Sequence, residues 1–385
     1  MSWDSTLGLT AKLADSFRET ARDRDRDRIL PYAEIEQLAT AGLFALTVPR
    51  EFGGADAPAS VLTEVIRLLA SADPNIAQIP HSHFVYVNFL KAAATADQQK
   101  YFFDQVLDGA RFANAQSERG GQTIASVTTR LERTSTGFVL SGTKYYCTGT
   151  LFADWIPVLA ALDEDEYLAF VPAGSPGLAI DDDWNGLGQR TTASGTVHLR
   201  AVPVDEAWVV PRAAALQAPT GYGAFAQLLH AAIDTGIARN ALTDAAEFVR
   251  DRSRPWFEAG VDEARADPLT AYRFGEVAVD VAAAEALLLT AGDAVDNVLA
   301  HPSARNAAKA SLAVATVKAA ADRASLAAAN AVFELGGTRS ADAALGLDRH
   351  WRNARTHTLH DPVRWKYHHI GRSVLGYAPP HHGVF

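Results

Sequence analysis

Residues 350–362, near the C-terminus, hold the side chains best suited to acid–base chemistry. They comprise three histidines, two arginines, an aspartate and a tryptophan, in a region otherwise rich in Ala, Leu and Val. His357 and His360 are three positions apart, so on a helical turn they share a face. Asp361-Pro362 ends any helix there, because the residue before a proline is pushed out of the α region. Such a helix end can serve acid–base chemistry, and it can equally be a polar seam between helices.

Three stretches of different pattern surround this segment. Residues 9–111 show helical periodicity, whereas residues 112–210 alternate apolar and polar positions between Gly, Thr and Ser turns, which is typical of the short strands of a small sandwich or barrel. From residue 223 the helical period returns in long alanine-rich segments, whose faces permit close helix packing. The pattern therefore predicts an α+β multidomain protein in three parts, residues 1–111, 112–211 and 212–385.

Composition narrows the class of partner and site. The chain has 385 residues, of which 48% are hydrophobic, and a net charge of −10, so neither nucleic acid nor an anionic membrane surface is expected as a main partner. The single cysteine, Cys147, excludes an internal disulfide and a Cys-rich metal site. The N-terminus does not resemble a signal peptide, and no apolar run reaches the roughly 18 residues of a membrane span. We expect a cytoplasmic protein.

Nucleotide and metal motifs are missing from the sequence. It contains neither Gly-x-Gly-x-x-Gly after a strand nor a Walker motif, so a nucleotide cofactor would not be held as in a Rossmann fold. The histidines also suggest a metal site, but they lack matching ligand spacing elsewhere, and we expect no metal.

The α–β–α order and three short motifs resemble the acyl-CoA dehydrogenase superfamily. The motifs are the hairpin at residues 142–149, Glu334-Leu335-Gly336-Gly337 and Arg352-Asn353-Ala354-Arg355. Residues 350–363 are more similar to one branch, the two-component flavin monooxygenases that include dibenzothiophene monooxygenase and sulfone-acting enzymes of sulfur acquisition. The resemblance covers nearly the whole chain.

This resemblance implies a fold and a cofactor. The fold would be an N-terminal helical domain, a central β-barrel and a C-terminal four-helix bundle, assembled as a homotetramer. Reduced FMN would come from a separate NAD(P)H:flavin reductase and react with O₂ to a C4a-hydroperoxyflavin. One oxygen atom would then pass to a small organosulfur compound such as a thioether, sulfoxide, sulfone or thiophene.

Three alternatives to this function remain open. One branch of acyl-CoA dehydrogenases reads Tyr-Glu-Gly-Thr where this chain reads His360-Asp361-Pro362-Val363, which favours the monooxygenase over an FAD-dependent dehydrogenase with Asp361 as its base. An N-hydroxylating monooxygenase of the same branch is the second alternative. A flavin-binding protein without activity is the third.

The resemblance also implies residue roles. His360, His83 and Thr148 would be catalytic, with His81 as a substitute for His83. Each has a purely structural alternative, such as a helix cap, a buried histidine or strand packing. Flavin contacts would come from a second set of residues, in which the arginines pair with the FMN phosphate: Asn114, Thr148, His357, Arg254 and Arg339. A neighbouring subunit could supply one of them.

Overall fold

The computed structural model describes residues 2–123 and 125–378. Its N-terminal part is helical: α1 Trp3–Asp27, α2 Tyr32–Thr40, α3 Ala59–Ala70, α4 Pro74–Gln78, α5 His81–Ala93 and α6 Ala96–Leu107. Asp73 caps α4 through its side chain, and Pro74 occupies the first helical turn, where the missing N–H costs nothing. Because α4 ends only a few residues before His81, Gln78 and the start of α5 lie close together.

The strands form one seven-stranded sheet in the order β5-β6-β2-β1-β3-β4-β7. The pairing is antiparallel except between β1 and β3. The predicted closed barrel is not confirmed, because in the described residues β5 and β7 form two unjoined edges. The strands are β1 Arg130–Thr134, β2 Gly137–Cys147, β3 Trp155–Leu162, β4 Asp165–Pro172, β5 Leu178–Asp181, β6 Gly195–Val204 and β7 Val209–Pro211.

The C-terminal part is again helical. Long helices α8, α9 and α10 pack against one another, and α12 packs against α10. The division at residues 111 and 211 and the four-helix bundle remain predictions, and the last seven residues of the third predicted domain lie outside the described residues. The helices are α7 Ala213–Gln217, α8 Tyr222–Arg252, α9 Pro268–Ala300, α10 Ala304–Gly336, α11 Asp348–His357 and α12 Val363–Val374.

One hydrophobic core joins all three parts. It contains apolar side chains of the N-terminal helices, of α8–α10 and of one face of the sheet, including Trp155 and Phe170. A second core lies against the sheet alone and includes Leu140 and Val158. The sheet therefore packs directly on the helices, and this junction positions the site described below. Within the described residues, none of the helices is long and apolar enough to cross a membrane.

Candidate active site

Four histidines from three parts of the chain stack into one cluster. His81 begins α5, His230 lies in α8, His357 ends α11 and His360 follows it in the turn. The ring centroids are 3.9 Å apart for His81 and His230, 4.4 Å for His230 and His360, and 4.8 Å for His357 and His360. His81, His230 and His357 are buried, whereas His360 is exposed on one side. The cluster therefore reaches the surface only through His360.

The turn after α11 brings His357 and His360 together. The backbone N–H of His360 donates to the carbonyl of His357 at 3.1 Å, and His360 Nδ1 lies 3.0 Å from the same oxygen. Pro362 follows directly, so the helix cannot continue and α12 starts in a new direction. The predicted shared face of the two histidines is confirmed.

A buried ion pair lies behind the cluster. Asp234 on α8 accepts from His357 Nδ1 at 2.5 Å, and Lys318 of α10 lies 2.6 Å from its other oxygen. The exposed fractions of the Lys318 and Asp234 side chains are 1% and 0%. Burial alone would raise the pKa of Asp234, but the charges of Lys318 and His357 outweigh it and hold this pKa well below the usual value. Asp234 is thus a carboxylate at any working pH.

Three rings of the cluster are neutral at physiological pH. Burial lowers the pKa of His81 to about 4 and the pKa of His230 well below its usual value. Although His360 is partly exposed, the protein packed around its ring lowers its pKa to about 3, with His357 as the next cause. Neutral imidazoles offer one donor and one acceptor nitrogen each, so their hydrogen-bond partners decide which nitrogen carries the proton.

The partners of His360 settle its tautomer. Nδ1 faces the carbonyl of His357 and must donate, so Nε2 of the neutral ring accepts from the amide nitrogen of Gln78 at 3.1 Å. The amide oxygen of Gln78 then faces His357 Nε2 at 3.0 Å, which makes that nitrogen a donor. His230 Nδ1 lies 3.3 Å from the same nitrogen and accepts as well. Nitrogens of His230, His357 and His360 lie within 4.8 Å of one another, a spacing compatible with a metal ion; the absence of a metal stays a prediction.

Hydroxyl and amide groups at the end of β2 form the other half of the site. Thr148 Oγ1 is 2.7 Å from Ser194 Oγ, which is 2.7 Å from Thr192 Oγ1. The backbone N–H of Asn114 donates to the carbonyl of Thr148 at 3.2 Å, and the hydroxyl of Tyr86 donates to Asn114 Oδ1 at 3.2 Å. The structure therefore brings together Thr148 and Asn114, both predicted from the sequence.

Helix α4 and the loop before β6 connect the two halves. The backbone N–H of Thr191 donates to Asn75 Oδ1 at 3.2 Å, and Asn75 lies one helical turn before Gln78 in α4. The backbone N–H of Gln189 donates to Asn353 Oδ1 of α11 at 2.7 Å. The histidine cluster and the sheet hydroxyls thus belong to one hydrogen-bonded region between sheet and helices.

The chain is similar to known proteins over nearly its whole length. The model of the acyl-CoA dehydrogenase N-terminal domain matches residues 10–110, and that of the C-terminal domain matches residues 228–365. The dibenzothiophene monooxygenase of Rhodococcus qingshengii is 33% identical over 96% of this chain and 93% of its own length. A probable FMNH₂-dependent monooxygenase of Pseudomonas putida, SfnC, is 31% identical over 97% of this chain and 95% of its own.

A solved structure shows the same fold with flavin. The FMN-bound TdsC of Paenibacillus sp. A11-2 has a TM-score of 0.93 and 30% identity, over 98% of this chain and 99% of that one. The chain belongs to the acyl-CoA dehydrogenase superfamily. Within the superfamily it falls in the branch of FMNH₂-dependent monooxygenases, as its sequence motifs predicted.

Asp361 stands at the position where one branch of the superfamily is expected to carry its catalytic glutamate. Its carboxylate lies 2.7 Å from Lys366 Nζ in the first turns of α12, and the Lys366 side chain is 4% exposed. This ion pair holds the carboxylate of Asp361 against α12 instead of leaving it free to face a substrate. The geometry therefore disfavours the dehydrogenase alternative.

The polar groups of the connecting loop fit a flavin. Both side-chain amide atoms of Gln189 and the hydroxyl of Thr191 are buried without a hydrogen-bond partner among the described residues. Unsatisfied buried donors and acceptors require an explanation such as a polar ligand. The pyrimidine edge of a flavin offers both carbonyl oxygens and an N–H group, so this donor and acceptor set is compatible with FMN bound beside the loop.

His83 lies apart from the histidine cluster. Its Nε2 donates to the carbonyl of Phe44 at 2.8 Å, and its Nδ1 accepts from the backbone N–H of Phe112 at 3.1 Å. Its side chain is fully buried, and the ring of Phe112 stacks on it at 5.3 Å. Both nitrogens are used to join α5 to neighbouring backbone, so no ring atom remains for a ligand.

His83 predicts a pH dependence of stability. Burial lowers its pKa from 6.5 to about 4. Between pH 6.5 and 4, His83 is therefore protonated in the unfolded chain but neutral in the folded one. The free energy of unfolding falls as pH drops through this range, by up to about 3 kcal/mol for this group. We expect His83→Gln to flatten this slope in urea unfolding at several pH values. The exposed His301 provides the control, and His301→Gln should leave the slope unchanged; equal slopes in both variants would refute the prediction.

Arg254 and Arg339 lie at the far end of α8. Arg339 donates to the carbonyl of Arg252 at 2.7 Å beside a cavity of about 770 Å³, and both predicted arginines are exposed. From His230 to Arg252, α8 extends roughly 33 Å at about 1.5 Å per residue. One FMN is much too short to reach from the cluster to these arginines in the same chain.

Four functional candidates carried weak sequence signals. His230 is a lone polar residue among Leu229, Ala231 and other apolar neighbours, and Lys318 resembles an ordinary solvent-facing lysine of an alanine-rich helix. Gln78 and Asp234 stand in apolar stretches in the same way. A polar side chain inside an apolar helical stripe is the one signal that points to such residues, because burial obliges it to have a partner.

Proposed function

We propose that the protein is a two-component FMNH₂-dependent monooxygenase that oxygenates a small organosulfur compound. The balanced reaction consumes FMNH₂, O₂ and the substrate and yields FMN, water and the oxygenated product. A separate NAD(P)H:flavin reductase in the cytoplasm supplies FMNH₂. The observation that carries the proposal is the histidine cluster, which is exposed through His360 and is joined by α4, α11 and the loop before β6 to the hydroxyl groups of the sheet.

Bound reduced FMN supplies the electrons that activate O₂. His360 is partly exposed, and its Nε2 is held by the side-chain amide of Gln78 rather than by backbone, so a reacting group can take over this hydrogen bond. Thr148 and Asn114 orient polar groups from the opposite side. We assign the α5 histidine of the site to His81, which stacks on His230, because both nitrogens of His83 bind backbone groups.

Oxygen consumption with product analysis tests this function. The assay contains the protein, FMN, NADH and an added flavin reductase, with thioethers, sulfoxides, sulfones and thiophenes as substrates. We expect an oxygenated product well above the background from free peroxide, measured with catalase present. No such product with any of these compounds or with amines would refute the proposal. Bleaching of bound flavin by an acyl-CoA without O₂ would instead indicate the dehydrogenase.

We further propose a homotetramer in which Arg254 and Arg339 reach the FMN phosphate of a neighbouring subunit. The length of α8 supports this, because these arginines lie too far from the cluster of their own chain. Arginine suits a phosphate through paired, charge-assisted hydrogen bonds. Each site would then be incomplete without a second copy.

Mixed assemblies test the shared site. Arg254→Ala should weaken FMN binding between about 10-fold and 100-fold, the cost of a lost charged hydrogen bond. At FMNH₂ concentrations well below the weakened Kd, subunits with Arg254→Ala and subunits with His360→Ala should each be nearly inactive alone. When both are co-expressed, sites that combine the intact His360 of one subunit with the intact Arg254 of another should recover activity. A protein that carries both substitutions in every subunit should show no such recovery. If co-expression of the two single variants fails to restore activity, the shared site is contradicted.

A further inference from the structure

The buried pair of Lys318 and Asp234 is unusual for a helical core. Two charges removed from water are costly, and replacing such a pair by apolar residues is often neutral or stabilising. The pair nevertheless lies directly behind the cluster, and its carboxylate binds His357 at 2.5 Å. Its position therefore favours a role in orienting the histidines.

A second contact between an aspartate of α8 and a buried histidine of α11 can be compared with the contact between Asp234 and His357. Asp244, ten residues after Asp234 on α8, accepts from His350 Nε2 at 2.8 Å, and His350 lies two turns before His357 on α11. Both aspartates therefore fix a buried histidine of α11. Asp244 also binds Arg349, whereas the hydrogen bonds of Asp234 continue through His357 to Gln78 and His360.

We propose that Asp234, paired with Lys318, acts through His357 and Gln78 to set the tautomer and orientation of His360. These four residues are positioning residues, since each touches His360 or acts on it through a neighbour. His357 Nδ1 faces Asp234 Oδ1 and its Nε2 faces Gln78 Oε1, so the ring donates from both nitrogens, and the charge of the carboxylate favours this arrangement. The amide nitrogen of Gln78 then donates to His360 Nε2, and the proton of His360 stays on Nδ1. The catalytic consequence of this hydrogen-bond network rests on the proposed monooxygenase function.

Removal of the Asp234 carboxylate should reverse the direction of the hydrogen bonds from His357 through Gln78 to His360. With Asn at position 234, no carboxylate favours donation from both nitrogens of His357, and its Nε2 becomes an acceptor. The amide of Gln78 then turns to donate to His357 and presents its oxygen to His360. His360 Nε2 must now carry the proton, and its Nδ1 loses the bond to the carbonyl of His357.

Nitrogen NMR tests the network without any enzyme assay. The protein is labelled with ¹⁵N-histidine, and the His360 signals are identified by their loss in His360→Ala. We expect the proton on Nδ1 in the wild type and in Asp244→Asn, and on Nε2 in Asp234→Asn. The same tautomer in all three proteins would overturn the proposal, even if the enzyme had a different function.

Steady-state turnover tests the consequence for function. Asp234→Asn should lower kcat between about 10-fold and 100-fold, as small misplacement of a catalytic group does, and change the substrate KM little. The hydrogen peroxide released per NADH should rise. Asp244→Asn removes the corresponding carboxylate beside His350, and its kcat and peroxide release should stay close to those of the wild type. Equal losses in both variants would show a structural role and overturn the proposal.

Gln78→Met covers the case in which Asp234→Asn does not fold. This variant keeps the side-chain volume and introduces no unpaired charge, but removes both hydrogen bonds of the amide. We expect the same fall in kcat and the same rise in peroxide. A folded Gln78→Met protein with wild-type turnover and coupling would overturn the proposal.

Discussion

His360→Ala should reduce product formation by at least about 100-fold, the usual contribution of a positioned acid–base group. His360 is the one exposed ring of the cluster, and a reacting group can take over the hydrogen bond between its Nε2 and the side chain of Gln78. Flavin affinity should remain almost unchanged, because the proposed phosphate contacts lie elsewhere. Oxygen uptake should continue, but as hydrogen peroxide rather than product. Parallel measurements of oxygen, peroxide and product check this.

The control for this variant is His301→Ala. His301 is exposed at the end of α9, and its loss should leave coupling as in the wild type. A His360→Ala protein that still couples oxygen use to product would remove His360 from the mechanism. Loss of FMN binding in His360→Ala would instead make the residue a flavin ligand.

Lys318→Met should be the most destabilising single change we predict. Lys318 and Asp234 are almost fully buried, and the attraction of Asp234 outweighs burial and raises the pKa of Lys318. Methionine would leave the carboxylate of Asp234 with His357 alone. Breaking a buried pair on one side typically costs about 3–5 kcal/mol of unfolding free energy. Urea unfolding of the variant measures this cost.

Two further variants separate the cost of an unpaired buried charge from the cost of losing the lysine side chain. The double variant Lys318→Met with Asp234→Asn should be less destabilised than the sum of the single changes, because no charge remains unpaired. Lys100→Ala breaks the exposed pair with Asp104 and should cost less than about 1 kcal/mol. A Lys318→Met protein as stable as Lys100→Ala would show that the buried pair adds nothing to stability.

The histidines of α5 show a limit of sequence reasoning. His81 and His83 are two residues apart at the start of the helix, so their side chains point roughly 200° away from each other. One of them can face α8, and the sequence alone cannot say which. The orientation of α5 against α8 decides this, and it turns His81 to His230 and His83 to the backbone of Phe44 and Phe112.

The sheet shows a similar limit. Alternating residues and turn signals predicted short strands over residues 112–211 and left a sandwich or barrel open. Whether strands close into a barrel depends on twist and register between distant segments. Over residues 2–123 and 125–378 the strands form one open sheet, with β1 and β3 paired in parallel and β5 and β7 unpaired at its edges.

The resemblance of short motifs indicated the family, and local spacing brought together two of the four clustered histidines. Three-residue spacing placed His357 and His360 on one face, and the residue string 350–363 by itself indicated the monooxygenase branch. Only the tertiary structure brought Gln78, Asp234 and Lys318 to these histidines. Contacts between residues so distant in sequence leave no local periodicity, and an isolated polar residue in an apolar helix gains its meaning from the partner that burial requires.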